Sequence, residues 1–205
     1  PGPDVDCAVL ACVALTFDDG PGPYTALLLD ELRAAGVRAT FFVVGRAAAA
    51  RPDLVREAVA DGHAVGNHTW SHPRLPDVGA VAVADQLDRT SAVLADLGVT
   101  TTLMRPPYGA TDATVASVTA ARGHAQILWD VDTQDWRNRD VAVTTQRALA
   151  GAHPGAIVLM HDIHPSTVEA VPGIVDALRA EGYTLVTVPE LLGSDLQPGR
   201  AYVHR

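Results

Sequence analysis

Residues 12–21 have the sequence CVALTFDDGP, in which an apolar run leads directly into two adjacent carboxylates. The run predicts a short buried strand, and Gly20 and Pro21 end any regular continuation of it. Two acids at one point repel each other, so a protein that keeps them there usually has a cation or a proton to bind. A solvated turn is the more common structure for an isolated Asp18-Asp19-Gly20. The polar residues further along the chain favour the first interpretation.

Short apolar runs alternate with helical patterns along the chain, and no low-complexity linker separates them. The predicted strands lie near 12–17, 39–44, 63–66, 101–105, 125–131, 156–160 and 184–187. The predicted helices lie near 24–35, 52–61, 80–97, 111–122, 140–152, 167–181 and 189–193. Glycines follow five of these helices, where a C′ glycine belongs, and Thr111 or Asp112 could cap the fourth helix. Seven such repeats predict one α/β domain with a parallel sheet, either doubly wound or closed as a barrel.

Polar side chains follow several of the predicted strands at their carboxyl ends. These residues are Asp18, Asp19, His68, His72, Arg105, Asp130, Asp132 and His161. Barrels with parallel strands build their active sites at this rim, and chance would place about half of such groups at the other one. The distribution therefore favours a barrel with a site at the carboxyl ends of its strands.

His68 and His72 are four residues apart, a spacing that brings two imidazoles onto one face of a helical turn. Asp19 offers a third ligand at the same rim, and Asp18 lies beside it as a candidate base. Two histidines and one carboxylate leave a coordination position open, as in catalytic zinc sites. Iron(II) oxygenases use the same ligand set, but the sequence has no sign of a co-substrate pocket. Zinc is the expected ion, with other divalent ions such as Co²⁺ or Ni²⁺ as alternatives.

Arg105 stands at a strand end before two prolines, Tyr108 and Gly109. One interpretation is a surface turn with its arginine in water. In the other, the guanidinium pairs with Asp18 and keeps that acid ionised, while the backbone N–H of Tyr108 points into the site.

The fifth and sixth strands supply further candidates. Asp130 and Asp132 share one side of a strand by period two, and Trp136 is a candidate wall for a substrate. His161 emerges from an apolar strand; with an acid of the fifth strand beside it, it becomes a candidate proton donor with a raised pKa.

The composition excludes some classes of function. A net charge of −9 disfavours a protein that binds nucleic acid or anionic membranes, since both need a basic face. No apolar stretch approaches the length of a membrane span. Cys7 and Cys12 could form a bridge that stabilises the fold by roughly 2 kcal/mol at most, or remain two buried thiols. Their close spacing favours a bridge and a secreted protein, and we expect a monomer.

Five motifs, taken in order, resemble those of the polysaccharide deacetylase family, also called carbohydrate esterase family 4 or the NodB-homology domain. They are Thr16-Phe17-Asp18-Asp19-Gly20-Pro21, His68-Thr69-Trp70-Ser71-His72, Arg105-Pro106-Pro107-Tyr108, Asp132-Thr133-Gln134-Asp135-Trp136 and Leu159-Met160-His161. The resemblance covers about residues 12–192. It implies a distorted (β/α)7 barrel, a divalent metal that is usually zinc, and removal of acetyl groups from carbohydrate polymers. We accordingly expect an N-terminal segment at 1–11, the catalytic domain at 12–193 and a C-terminal tail at 194–205.

The resemblance also implies a role for each site residue. Asp18 resembles the general base, and the metal ligands correspond to Asp19, His68 and His72. His161 resembles the general acid, with Asp132 tuning it, and Arg105 the residue that holds the base. Tyr108 resembles the residue whose main-chain N–H meets the oxyanion, and Trp136 and Leu159 the walls of the acetyl pocket.

The substrate expected from this family is an N-acetylglucosamine polymer, either chitin oligosaccharides or peptidoglycan. Acetylxylan is the runner-up, and a non-catalytic carbohydrate-binding protein is the alternative from another class. The predicted loops at the strand ends are short, which indicates an open groove suited to polymers.

Overall fold

The computed structural model describes residues 5–193 and 195–205. The strands are β1 (Cys12–Asp18), β2 (Thr40–Val43), β3 (Ala64–Asn67), β4 (Leu103–Met104), β5 (Ala125–Ile127), β6 (Val131–Asp132), β7 (Ile157–His161), β8 (Thr184–Val186) and β9 (Ala201–Tyr202). The helices are α1 (Thr25–Ala35), α2 (Gly45–Ala50), α3 (Pro52–Ala60), α4 (Gly79–Asp96), α5 (Ala113–Ala120), α6 (Asp135–Asn138), α7 (Val141–Gly151), α8 (Pro165–Ala180) and α9 (Val188–Leu192). Every predicted strand and helix is therefore present, and α2 and α6 are additions.

One sheet holds the strands in the order β6-β7-β1-β2-β3-β4-β5-β9, and β8 pairs with β1. Each of these pairings is parallel. Helices supply crossovers between parallel strands, and the sheet curls so that its two ends approach each other. The predicted fold is confirmed: the chain is a single α/β domain, a distorted (β/α)7 barrel.

The strand β1 lies at the centre of the fold, and all seven of its residues are buried. Its apolar side chains pack against helices on one side and inside the barrel on the other. Burial on both faces explains why this strand is a continuous apolar run with no alternation of polar residues.

Helix ends agree with the local sequence. Asp112 caps α5 by accepting a hydrogen bond from the N–H of Val115 at 2.8 Å, which decides between the two predicted caps. Gly36 follows α1 with a φ of 61°, the left-handed conformation expected of a C′ glycine.

The predicted strand at 125–131 is interrupted, because its central residues have other partners. Arg105 donates to the carbonyls of Ile127 and Leu128 at 2.9 and 3.0 Å. Asp130 uses one carboxylate oxygen to accept the N–H of Ile157 at 2.9 Å and the other to contact His153 at 2.6 Å. The backbone therefore leaves the sheet between β5 and β6.

Residues 201–204, in the segment expected as a C-terminal tail, contribute to the barrel. Ala201 and Tyr202 of β9 pair with β5, and His204 forms an antiparallel bridge with Ala156 at the start of β7. These residues close the seam that the interruption between β5 and β6 leaves open. The expected bridge between Cys7 and Cys12 is present. Within the described ranges, no helix combines the length and apolar character that a membrane span requires.

Candidate active site

Strand register brings the predicted residues together at one rim. Asp18 lies beside His161 in the pairing of β1 with β7, and Asn67 lies beside Met104 in the pairing of β3 with β4. His68 directly follows Asn67, and Arg105 directly follows Met104, so these two residues lie side by side at the carboxyl ends of β3 and β4. The expectation that polar side chains gather at the carboxyl ends of the strands is confirmed for these residues.

Asp19, His68 and His72 form a compact group of ligand atoms. Their candidate atoms all lie within 4.8 Å of one another. The Oδ1 atom of Asp19 is 3.6 Å from Nε2 of His68 and 3.3 Å from Nε2 of His72. Zinc ligands at 2.0–2.2 Å in a tetrahedron are separated by roughly 3.3–3.6 Å, so the spacing fits a single ion.

The protonation of His68 also fits a metal ligand. Its Nδ1 donates to the carbonyl oxygen of Arg105 at 2.7 Å, which leaves the lone pair on Nε2 directed at Asp19 and His72. Burial lowers the pKa of His68 to about 3, so the ring is neutral at ordinary pH. A neutral imidazole is the form that binds a metal ion.

The two histidines do not share a helical turn, so that part of the sequence prediction is wrong. Residues 68–74 form a loop in which Thr69 and His72 have φ values of 66° and 63°. Asn67 accepts the N–H of Thr69 at 2.8 Å, and the Thr69 hydroxyl accepts the N–H of His72 at 3.1 Å. These side-chain hydrogen bonds, rather than helical periodicity, bring the rings to a centroid distance of 4.9 Å.

Asp18 and Arg105 form a buried ion pair. The guanidinium is fully buried, and its Nη1 donates to Oδ1 of Asp18 at 2.7 Å and to the hydroxyl of Thr16 at 2.8 Å. The ring of Phe42 lies 4.1 Å from the guanidinium carbon. The predicted pairing is therefore confirmed, and Arg105 fixes the direction of the carboxylate.

The environment of Asp18 suits a base. Burial raises the pKa of this carboxyl above its ordinary value, and the charge and hydrogen bond of Arg105 act against that rise. Its second oxygen, Oδ2, lies 3.6 Å from Nε2 of His68, next to the candidate metal position. A carboxylate with a raised pKa at that position is a better proton acceptor than an exposed aspartate.

The partner of His161 is Asp135, which corrects the expected role of Asp132. Nδ1 of His161 donates to Oδ1 of Asp135 at 2.8 Å, and Oδ2 of Asp135 accepts the N–H of His161 and the hydroxyl of Thr167, each at 2.7 Å. Asp132 instead accepts the N–H of Gln134 at 2.8 Å. Asp135 lies in the first turn of α6, directly after Gln134, whose backbone has the left-handed conformation. The chain changes direction at Gln134, so the carboxylate of Asp135 reaches His161.

Burial would lower the pKa of His161, but the hydrogen bond and charge of Asp135 outweigh it. Together with the charges of Asp18 and Asp19, they raise the pKa of His161 to about 9. The hydrogen bond from His161 in turn contributes to a lowered pKa of Asp135, although burial acts in the opposite direction. His161 is thus charged at neutral pH and holds a proton that it can donate.

The candidate base, acid and metal ligands surround one cavity of about 330 Å³. It is lined by Asp18, Asp19, His68, His72, Tyr108, Trp129, Asp132, Trp136, Leu159 and His161. Trp136 and Leu159, the expected walls of the acetyl pocket, both border it, as does Trp129. Asp132 also faces this cavity, where it is available to a substrate rather than to His161.

The position of Tyr108 agrees with the expected use of its backbone. Its φ is 61°, and its N–H has no acceptor among the described residues. The residue is 67% exposed, and its ring packs edge-on against His72 at a centroid distance of 4.6 Å, so Tyr108 lies beside the candidate metal ligands. A free N–H at this point can donate to an oxyanion.

Asp162, which the sequence reasoning did not consider, is a buried acid behind the site. The hydroxyl of Thr25 donates to one of its oxygens, and burial raises the pKa of this carboxyl to about 7. Its carboxylate occupies the space where a side chain on Gly20 would lie. The glycine next to Asp19 was the available signal, since a glycine is needed where another group packs against the backbone.

A larger cavity, of about 420 Å³, lies at the opposite end of the strands. Its only titratable side chain among the described residues is His63, whose pKa burial lowers to about 4. It lacks the carboxylates and paired histidines of the site described above.

The chain is similar to known proteins in sequence and in fold. A family model described as Polysaccharide deacetylase matches residues 9–127. The chain is 44% identical over 192 residues to the peptidoglycan-N-acetylglucosamine deacetylase PgdA of Listeria monocytogenes, which covers 93% of this chain and 41% of that protein. It is 40% identical over 197 residues to the chitin deacetylase of a Pestalotiopsis species, covering 91% of this chain and 65% of that one.

A solved structure described as "T48 deacetylase with substrate" has the same fold. It superposes with a TM-score of 0.93 at 44% identity, and the match covers 97% of this chain and 99% of that one. The chain spans about two fifths of the length of the Listeria relative, so the similarity concerns only part of that protein. Family model, sequence and fold agree, and the chain belongs to the polysaccharide deacetylase family.

Proposed function

We propose that this chain is a metal-dependent hydrolase that removes the acetyl group from N-acetylglucosamine units of chitin oligosaccharides or peptidoglycan. The observation that carries the proposal is the arrangement of Asp18 and His161 around one cavity with the triad Asp19, His68 and His72. A base, an acid and a candidate metal site all face the space where an acetamide would bind. The names of the similar proteins support the choice of substrate.

A divalent cation at this triad supplies a Lewis acid for the acetyl carbonyl and lowers the pKa of water. Asp18, held by Arg105, accepts a proton from the attacking water. The N–H of Tyr108 donates to the oxyanion that develops on the carbonyl. His161 then donates its proton to the departing nitrogen, because an amide anion is too basic to leave unprotonated.

The first experiment measures acetate released from chitotetraose, peptidoglycan and acetylated xylan by the purified chain. His161→Ala should reduce amide hydrolysis roughly 10²- to 10⁴-fold more than hydrolysis of an acetyl ester, since an alkoxide leaves more readily than an amide anion. His204→Ala, at an exposed histidine outside the site, is the matched control and should change neither. Equal losses on amide and ester would remove His161 from the acid role.

A second variant separates the two adjacent aspartates. Asp18→Asn should abolish hydrolysis of both substrates while the metal content, measured by elemental analysis, stays that of the unmodified protein. Loss of the metal from this variant would show that Asp18 is a ligand and that the assignment of the pair is incorrect.

We propose zinc as the resident ion, with Co²⁺ or Ni²⁺ as possible replacements. Two imidazoles and a carboxylate at tetrahedral spacing support this choice. Elemental analysis should find about one zinc ion per chain. Iron in its place, with activity that depends on oxygen, would contradict both the metal and the hydrolytic reaction.

We further propose that the protein is secreted and acts as a monomer. The bridge between Cys7 and Cys12 supports export, since disulfides persist mainly in oxidising compartments. Every proposed catalytic group comes from one chain, which supports the monomer. Cell fractionation and light scattering test these proposals; a reduced cytoplasmic protein would contradict the first, and a stable dimer the second.

A further inference from the structure

A second cavity, of about 260 Å³, adjoins the candidate active site. It is lined by Asp19, Val44, Arg46, Ala47, His72 and Ile163. Asp19 and His72 border both cavities, whereas Trp136 and Leu159 border only the first one. The second cavity therefore adjoins the candidate metal ligands without bordering the expected walls of the acetyl pocket, so it can receive the sugar next to the reacting unit of a polymer.

Hydrogen bonds hold the segment that carries Arg46 against both metal-ligand loops. The N–H of Val44 donates to the carbonyl of Gly20 at 3.0 Å, next to Asp19. The N–H groups of Gly45 and Arg46 donate to the carbonyls of Thr69 and Trp70 at 2.9 and 3.2 Å. Those two carbonyls lie between His68 and His72. The backbone of Arg46 thus has a fixed position relative to the reaction centre.

Arg46 is the one side chain with a permanent positive charge among the described residues that line the two cavities. Its side chain is exposed, and no carboxylate of a described residue lies within ion-pair distance of it. In a chain with a net charge of −9, an unpaired cation beside the site is the local feature that would attract an anionic group.

We infer that Arg46 forms a subsite for a carboxylate on the sugar adjacent to the one that is deacetylated. The inference rests on the proposed function and narrows its substrate to N-acetylglucosamine polymers whose neighbouring sugar carries a free carboxylate, as the lactyl ether of muramic acid does where no peptide is attached to it. Chitin oligosaccharides offer no such group. Uronic acids offer the same chemistry on other polymers.

The expected effect is modest, because an exposed ion pair stabilises a complex by about 0.4–1 kcal/mol, which corresponds to a two- to fivefold change. It should appear in KM rather than kcat, since a group on the neighbouring sugar contacts the ground state and the transition state alike. It should also weaken as salt shortens the range of the attraction.

The test compares kcat/KM on a peptide-free N-acetylglucosamine–N-acetylmuramic acid tetrasaccharide with that on chitotetraose. Arg46→Gln should lower the ratio of the two values about two- to fivefold, and Arg46→Glu should lower it further. Arg147→Gln, at an exposed arginine of α7 outside both cavities, is the matched control and should leave the ratio unchanged. The difference between the unmodified protein and Arg46→Gln should diminish in 0.5 M salt.

The subsite would be refuted if Arg46→Gln left the ratio of kcat/KM values unchanged, or if the change in this ratio persisted in high salt. In either case, deacetylation of chitotetraose by the unmodified protein would still support the proposed function. Absence of acetate release from both oligosaccharides by the unmodified protein would instead reject the proposed function. Acetylated xylan with glucuronic acid branches is the third substrate. A dependence on Arg46 there alone would reject the lactyl carboxylate as the group recognised.

Discussion

Asp135→Asn should shift the pH dependence of amide hydrolysis to lower pH. The substitution retains the size of the side chain but removes the charge that faces Nδ1 of His161 at 2.8 Å. A histidine with a raised pKa is protonated below that pKa and loses its proton as pH rises through it. The unmodified protein should therefore keep its acid up to about pH 9.

The size of the expected loss in kcat follows from the fraction of His161 that carries a proton. With a pKa of about 9, about 97% of the side chain is charged at pH 7.5. At the ordinary value of 6.5 the charged fraction at pH 7.5 is about 9%. Without Asp135, burial still acts to lower the pKa of His161, and the charges of Asp18 and Asp19 still act to raise it, so we take the ordinary value for the variant. The variant should thus lose about tenfold in kcat at pH 7.5 and roughly 150-fold at pH 9.

The assay is kcat for chitotetraose between pH 5 and 10, with metal content and thermal unfolding measured on the same preparations. Thr167→Val is the control, because it removes a 2.7 Å hydrogen bond to the same carboxylate without removing its charge. The alkaline limb should move in Asp135→Asn and stay near its original position in Thr167→Val. A folded, metal-loaded Asp135→Asn protein with an unmoved limb would refute the assignment, as would equal shifts in both variants.

Four further predictions concern stability and the metal. Arg105→Met should lower the free energy of unfolding by about 3–5 kcal/mol, because it leaves Asp18 buried without its partner; a loss below 1 kcal/mol in urea titration would contradict the buried ion pair. Gly20→Ala should cost about 1–3 kcal/mol, since its methyl group would overlap the carboxylate of the fully buried Asp162. Gly173→Ala, in a helix and with open space around it, should instead stabilise the fold by about 0.5–1 kcal/mol, and equal effects of the two alanines would contradict the packing argument. Removal of the metal with a chelator should abolish acetate release, and added zinc should restore it; full activity of the metal-free chain would contradict the proposed reaction.

The sequence predicted those parts of the site that lie directly at strand ends. Asp18, Arg105 and His161 terminate or follow buried apolar runs, and parallel strands bring their carboxyl ends to one rim. The register of β1 with β7 then places Asp18 beside His161 without help from any loop. Regular secondary structure has a fixed rise and direction, so positions on it follow from spacing alone.

Residues on irregular backbone were not predictable in the same way. Period two applied to the fifth strand left Asp130 and Asp132 as equal candidates, whereas the acid that contacts His161 is Asp135, beyond the left-handed Gln134. A single residue with positive φ reverses the course of the chain, and no periodicity extends across it. The position of a strand end therefore indicates the region that holds the acid, but not which residue it is.

The irregular backbone that sequence periodicity could not predict is also strained, and it carries residues of the candidate site. Asp19, Thr69, His72 and Tyr108 all have positive φ, although none is glycine. Each such residue costs of order 1–3 kcal/mol and persists only where the surroundings hold it. Two are candidate metal ligands, one directs the loop between two ligands, and one offers the oxyanion donor. These positive-φ conformations, which are locally unfavourable, thus direct the four residues toward one point. The buried residues of β1, together with Arg105 and Asp162, pack against this region and hold the four residues in place.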